Sequence, residues 1–176
     1  MRLAGKKILM VVAPEGFRDE ELLTPRALFE AAGAVVTVAS TRSGQACGMK
    51  GARVVATANV DVSRASDFDA VLLVGGAGAE TFLWAHPGLR TLVTDARREE
   101  RLLGAICLAP VVLARAGLLK NIDTTVWPSP NAESEIRRAG GRLKDDAVVC
   151  ADRIITGRGP EAAELWAQAI VRAMSP

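Results

Sequence analysis

Cys107, in the stretch Leu102-Leu-Gly-Ala-Ile-Cys-Leu-Ala-Pro110, stands where an apolar run stops and a helix begins almost at once. That is the pattern of a strand, a sharp turn and a helix with a thiol at the turn. A thiol so placed feels the positive end of the helix and free backbone N–H groups, which favour the thiolate, the reactive form. Cys107 is therefore the candidate nucleophile, although most cysteines simply pack as small hydrophobes. A nucleophilic thiol needs a proton acceptor, and the early cluster Glu15, Glu20 and Glu21 offers three carboxyl groups. A carboxyl group serves as proton shuttle only with a raised pKa. Acidic residues in a first helical turn otherwise just complement the helix dipole. Gly75-Gly76 follows another apolar run and leaves room for a backbone N–H aimed at an oxyanion. Arg158, between two glycines, is a candidate anion ligand or subunit contact.

Other residues narrow the chemistry. His86 is the single histidine, in Trp84-Ala-His-Pro87 ahead of a helix, and reads as a surface residue. That leaves little basis for a Cys-His or Ser-His-Asp arrangement or for a zinc cluster. Gly75-Gly-Ala-Gly78 follows a later strand and lacks a ribose-binding acid at the right distance, so it is a poor dinucleotide fingerprint. Cys47 and Cys150 have no metal-ligand spacing, and three cysteines do not suggest a disulfide framework. A reducing, cytoplasmic setting is expected.

The elements that must position these residues follow from periodicity. Lys7 to Ala13 reads as a buried strand, and Glu20 to Ala32 as a helix with Leu23, Ala27, Leu28 and Ala31 on its apolar side. Val35 to Ala39 is a second strand, Gly44 to Gly51 a glycine-rich loop, Arg53 to Ala56 a short strand, and Ala70 to Val74 another strand. Pro87 to Arg101 is an amphipathic helix, Leu103 to Ile106 the strand before Cys107, and Ala109 to Ala116 a helix stopped by Gly117. Thr124 to Trp127 reads as a strand and Asn131 to Ala139 as a helix capped by Asn131. Val148 to Ala151 and Arg153 to Thr156 form a hairpin before a closing helix that runs to about Met174. Strands alternating with helices imply an α/β domain, residues 1–176, with a mostly parallel, doubly wound sheet covered on both faces. Such sheets bind ligands beyond the carboxyl ends of their strands. Four segments reach that edge: Ala13 to Glu21, Gly75-Gly76, the Cys107 turn and Thr156 to Pro160.

The 176 residues suit one domain, with 49% hydrophobic and 24% charged residues and a net charge of +2. Charges of both signs are mixed, which gives nucleic-acid binding no support. No apolar run approaches the roughly 20 residues of a membrane span. The basic N-terminus before Ile8 loosely resembles a signal peptide, but a first strand accounts for it better.

Glu21 to Pro25, Ala70 to Gly76, Gly104 to Pro110, Ala116 to Lys120 and Ile154 to Pro160, in that order and spacing, make the chain similar to the PfpI/ThiJ family, which belongs to the class I glutamine-amidotransferase-like superfamily. The resemblance implies a flavodoxin-like three-layer sandwich, a homodimer or larger homo-oligomer, and Cys107 at a strained nucleophile elbow. It selects Glu21 among the three acids, as the residue four before Pro25, and Gly76 and Leu108 as backbone oxyanion donors. Members of the family are described as cofactor-free glyoxalases, deglycases, intracellular peptidases, chaperones and oxidative-stress sensors. Many relatives carry histidine where this chain has Leu108, and others where it has Trp127. The absence of both disfavours a peptidase, whose only rescue is His86 from a neighbouring subunit. The expected activity is that of a cysteine enzyme on a small reactive carbonyl, without cofactor or metal. Its site is Cys107, Glu21, Gly75, Gly76, Leu108, Trp127 and Arg158. The alternative is a sensor or chaperone that responds through Cys107 oxidation.

Overall fold

The computed structural model describes residues 1–176. Seven strands form the central sheet: β1 (Lys7–Val11), β3 (Val35–Ser40), β6 (Ala58–Asn59), β7 (Ala70–Leu73), β8 (Leu102–Ile106), β11 (Val148–Ala151) and β12 (Ile154–Gly157). Their order is β11-β12-β8-β7-β1-β3-β6, and every pair is parallel except β11 with β12. The alternation of strands and helices thus gives the doubly wound α/β sandwich expected. Side chains leave the two faces of each strand in turn, so Leu9, Val11, Val71 and Leu73 enter one core while Ile8, Met10, Leu72 and Val74 enter the other. The first core is closed by α2 (Pro87–Arg98), α3 (Pro110–Arg115) and α4 (Pro130–Arg138), the second by α1 (Asp19–Ala31) and α5 (Ala163–Met174). No helix is long and apolar enough to cross a membrane.

The chain leaves β1 toward β3 on one side and returns to β7 on the other, which places the switch in strand order between β1 and β7. Loops beyond such a switch diverge and leave a crevice. Here the loop after β1 and the loop after β7 are tied across it by the Arg18 N–H, which donates to Gly75 O at 3.0 Å.

Several elements differ from the sequence reading. The core stripe of α1 is Glu21, Leu22, Pro25 and Phe29, while Leu23 is 45% exposed and Ala27 and Ala31 face outward. Phe29 has the larger apolar surface to bury, and a buried carboxylate on that stripe disguised it. Pro25 removes the N–H that would have bonded back to the Glu21 carbonyl, yet the helix continues through it. The glycine-rich segment is no loop but a strand, β4 (Gly44–Gly48), in a small sheet between β2 (Glu15–Phe17) and β5 (Arg53–Ala56). Of the strand expected from Thr124 to Trp127, only Thr124 pairs regularly, as the second residue of β9 (Asp123–Thr124) beside β10 (Arg142–Leu143). Beyond it, the Thr125 N–H donates to Thr156 Oγ1 at 3.0 Å and the Trp127 N–H to Cys107 O at 2.8 Å, single bonds to two different strand ends. Ser129, not Asn131, caps α4, its Oγ accepting from the Ala132 N–H.

Helix α5 packs on β8 where Gly104 has no side chain. A Cβ there would lie 2.6 Å from Leu72 Cδ2 and 3.0 Å from Trp166 Cζ2, in a region of buried, close-packed atoms. Gly104→Ala is expected to cost about 1–3 kcal/mol in urea unfolding by overpacking. An unchanged stability would mean that β8 and α5 are less tightly joined than described.

Candidate functional site

Strand β8 delivers Cys107 to the carboxyl edge of the sheet, and the backbone turns there with φ of 63°. A non-glycine residue holds that left-handed conformation only when its surroundings over-determine it. The Cys107 N–H donates to Gly157 O at 2.9 Å, Cys107 O accepts from the Trp127 N–H, and the Ala109 N–H closes the turn onto Ile106 O at 3.0 Å. The bend is therefore fixed by the ends of two neighbouring segments. The N–H groups of Gly76 and Leu108, named from the resemblance as oxyanion donors, both act on the Cys107 thiol, where they favour its anion.

Glu21 lies in the first turn of α1 and has no exposed surface. Its Oε2 accepts the Gly75 N–H at 2.8 Å. Its Oε1 is buried with no hydrogen-bond partner. After burial, Cys107 is the strongest influence on the Glu21 carboxyl group, and Glu21 the strongest on the thiol. Gly75 makes this approach possible. A Cβ on it would lie 2.6 Å from Cys107 Cβ and 2.8 Å from Glu21 Oε2.

Burial pushes the Glu21 carboxyl group up to about 7, against the opposing pull of its bonds to Cys107 and Gly75 and of the Arg18 charge. Burial also pushes the Cys107 thiol up, and the Glu21 charge adds to it, while the two N–H donors pull it down. This corrects the expectation of a thiolate favoured by the turn alone. The helix begins only at Pro110, and Cys107 is 6% exposed and stands beside a carboxyl group. The outcome is a coupled pair, in which negative charge on one member hinders loss of the proton from the other. Below about pH 7 the pair holds two protons, and above it one.

A pocket of about 340 Å³ opens on the sulfur, with Arg18, Met49, Gly76, Leu108, Trp127 and Glu161 in its wall. Trp127 is 41% exposed, and its ring rests on Gly159. Arg18 Nε contacts Glu20 Oε2 at 2.8 Å, and Lys50 Nζ contacts the other Glu20 oxygen at 2.8 Å. The bond from Lys50 holds Glu20 down at about 2. Glu20 is therefore an ion-pair partner, and Glu15 reaches outward to Arg42 at 3.4 Å.

The remaining expected residues separate from the pocket. Arg158 Nη1 donates to Asp145 O at 2.9 Å and lines a neighbouring depression that shares Trp127 and Glu161, so it is not brought to the sulfur. His86 caps α2, its Nδ1 accepting the Leu89 N–H at 3.2 Å. Cys47 is in β4 and Cys150 on the exposed side of β11. No group of three His, Cys, Asp or Glu side chains is placed to hold a metal ion. Sequence reasoning missed Arg18, Met49 and Glu161. Arg18 lay inside the flagged turn from 13 to 21, whereas Met49 reaches the pocket only because the glycine-rich segment folds as a hairpin.

The DJ-1/PfpI family profile matches residues 6–173. The chain belongs to that family. It is 40% identical to an uncharacterized protein of Methanocaldococcus jannaschii over 98% of this chain and 84% of that one. It is 28% identical to a glutathione-independent glyoxalase of Caenorhabditis elegans, covering 97% of this chain and 90% of that protein. The crystal structure of a ThiJ/PfpI domain protein from Brachyspira murdochii superposes with a TM-score of 0.91 at 30% identity, over 97% of this chain and 98% of that one.

Because folding raises Glu21 from 4.5 to about 7, the folded chain holds this proton more tightly than the unfolded one. The associated stability is complete below about pH 4.5 and is lost as pH rises through 7, by about 3 kcal/mol. Glu21→Gln has no such proton to lose. Urea unfolding at pH 5 and pH 8 should show the parent losing stability relative to this variant as pH rises. Parallel profiles would contradict the raised value.

Proposed function

We propose that the chain is a cofactor-free cysteine enzyme that converts a small reactive carbonyl such as methylglyoxal to a hydroxy acid. The observation that carries this reading is the buried Cys107–Glu21 pair beneath a pocket, with the Gly76 and Leu108 N–H groups acting on the thiol. Similarity to the Caenorhabditis elegans glyoxalase supports it.

The steps balance without a redox cofactor. The sulfur attacks the aldehyde carbon, forming a C–S bond, while the proton of the pair moves to the carbonyl oxygen as the hemithioacetal forms. The Glu21 carboxylate then removes hydrogen from that carbon, giving an enediol whose oxygen is near the Gly76 and Leu108 donors. Glu21 returns the proton to the adjacent carbon, which leaves a thioester. Water cleaves the thioester, so methylglyoxal plus water becomes lactate and the Cys107 thiol is regenerated. Hydrogen moves between two carbons of one molecule, and no external oxidant is needed. One carboxyl group that both accepts and donates needs a pKa near the working pH, which the burial of Glu21 provides. Trp127, in place of an imidazole, makes the wall apolar and suits the methyl end of the substrate.

We also propose that the protein works as a homodimer or larger assembly, which the outward-facing Leu23 on α1 and Leu165 on α5 support.

A second reading draws on the same geometry. Two peroxide molecules convert a thiol to a sulfinic acid and two waters. The Gly76 and Leu108 N–H groups and a protonated Glu21 are placed to bind the resulting anion, which is the chemistry of an oxidative sensor.

Cys107→Ser and Glu21→Gln should each lower D-lactate formation from methylglyoxal by at least about a hundredfold. In the parent, turnover should rise with pH through about 7, as the pair loses the first of its two protons. Turnover equal to the parent in both variants would remove the enzymatic reading. Mass spectrometry after mild peroxide tests the sensor. A stable gain of two oxygens at Cys107, ahead of the more exposed Cys47 and Cys150 and without glyoxal turnover, is its expected result. Oxidation of Cys150 first counts against it.

A further inference from the structure

The bend at Cys107 is held chiefly by backbone bonds, but one side chain reaches it. Trp84 is nearly buried, and its indole Nε1–H donates to Leu108 O at 2.7 Å. Leu108 follows Cys107, and its own N–H acts on the thiol and favours its anion. Trp84 therefore fixes the far end of the residue that supplies one of the two donors.

The segment that carries Trp84 is built to reach this point. After Gly75-Gly76 the chain winds as a π-helix from Ala79 to Leu83, and the Trp84 N–H bonds to Ala79 O at 3.0 Å, five residues back. Single turns of this wide winding are uncommon and cluster at functional sites. The loop after β7 thus supplies the Gly76 N–H at one end and the Trp84 indole at the other, and both act on the same bend.

A surface cation stands behind the indole. The Arg115 guanidinium lies 5.3 Å from the Trp84 ring centroid and pairs with Glu135 through Nε at 3.1 Å and Nη2 at 2.8 Å. A cation over an indole face draws on the ring electrons and adds to the positive character of its N–H edge. Arg115, Trp84 and Leu108 form a continuous path from the α3–α4 surface to the elbow.

We infer that Trp84 is a positioning residue for Cys107, which by holding the Leu108 carbonyl fixes the Leu108 backbone and so keeps its N–H beside the sulfur. This rests on the proposed reactivity of Cys107 but not on any particular substrate. Without the indole N–H, the Leu108 carbonyl loses its partner and the left-handed turn loses one of its restraints.

The test is alkylation of Cys107 by iodoacetamide across pH, followed by mass spectrometry of the Cys107 peptide. Trp84→Phe keeps an aromatic ring and the Arg115 stack but removes the donor. The expected result is a rate at pH 8 lower by about tenfold, with the pH profile displaced to alkaline values and the circular dichroism spectrum unchanged. An unchanged rate and profile in the folded variant would overturn the inference. Arg115→Met, at a partly exposed position, should shift the profile in the same direction by a smaller amount even if Trp84→Phe does not fold, and no shift there would also overturn it. Alkylation that depends on Trp84 in a protein inert to glyoxals would defeat the enzymatic reading while sustaining this one.

Discussion

The structure turns on the burial of two acidic groups, Glu21 and Cys107, in one another's influence. Neither side chain can lose its proton cheaply in that space, because burial penalises each anion and each anion penalises the other. The surrounding fold makes the arrangement tolerable. Gly75 gives a backbone N–H to one carboxylate oxygen, and the N–H groups of Gly76 and Leu108 favour the anion of the thiol. A bare thiol at the end of a strand would be a packed hydrophobe. Here it has a carboxyl group poised near neutrality beside it instead, and the proposed nucleophile depends on that neighbour.

The sheet order explains why these groups meet. β1, β7, β8 and β12 are adjacent and parallel, so the loop after β1, the Gly75-Gly76 turn, the Cys107 bend and the segment from Gly157 emerge side by side. Their mutual bonds, Arg18 to Gly75, Cys107 to Gly157 and Trp127 to Cys107, join the loops into one rim. The strained φ at Cys107 is stored in that rim, and the absence of a side chain at Gly75 keeps the carboxyl group within reach.

Much of this was legible in the sequence. The alternation of apolar runs and amphipathic stretches gave the sheet and its helices, because buried parallel strands and packed helices leave strong periodic traces. Cys107, Glu21, Gly75, Gly76, Leu108 and Trp127 lie close together in the fold. What the chain did not disclose depended on contacts between distant segments. The stripe of α1 was misplaced because its buried acid looks polar in one dimension. The β4–β5 hairpin looked like a loop because glycine weakens the strand pattern, and with it went Met49. Arg158 was assigned by its glycine neighbours, but its side chain turns to the Asp145 carbonyl. Burial also reversed the sign of the shift expected for the thiol, since a turn pattern carries no information about how deeply the sulfur sits.

Infrared difference spectroscopy of the Glu21 carboxyl band across pH, assigned with Glu21→Gln, reads the carboxyl proton directly. The account predicts a protonated carboxyl band that titrates at about 7 in the parent and moves when Cys107 is replaced by Ser. A band that has vanished by pH 5.5, roughly a unit above the ordinary carboxylate value, and is indifferent to residue 107 would contradict it.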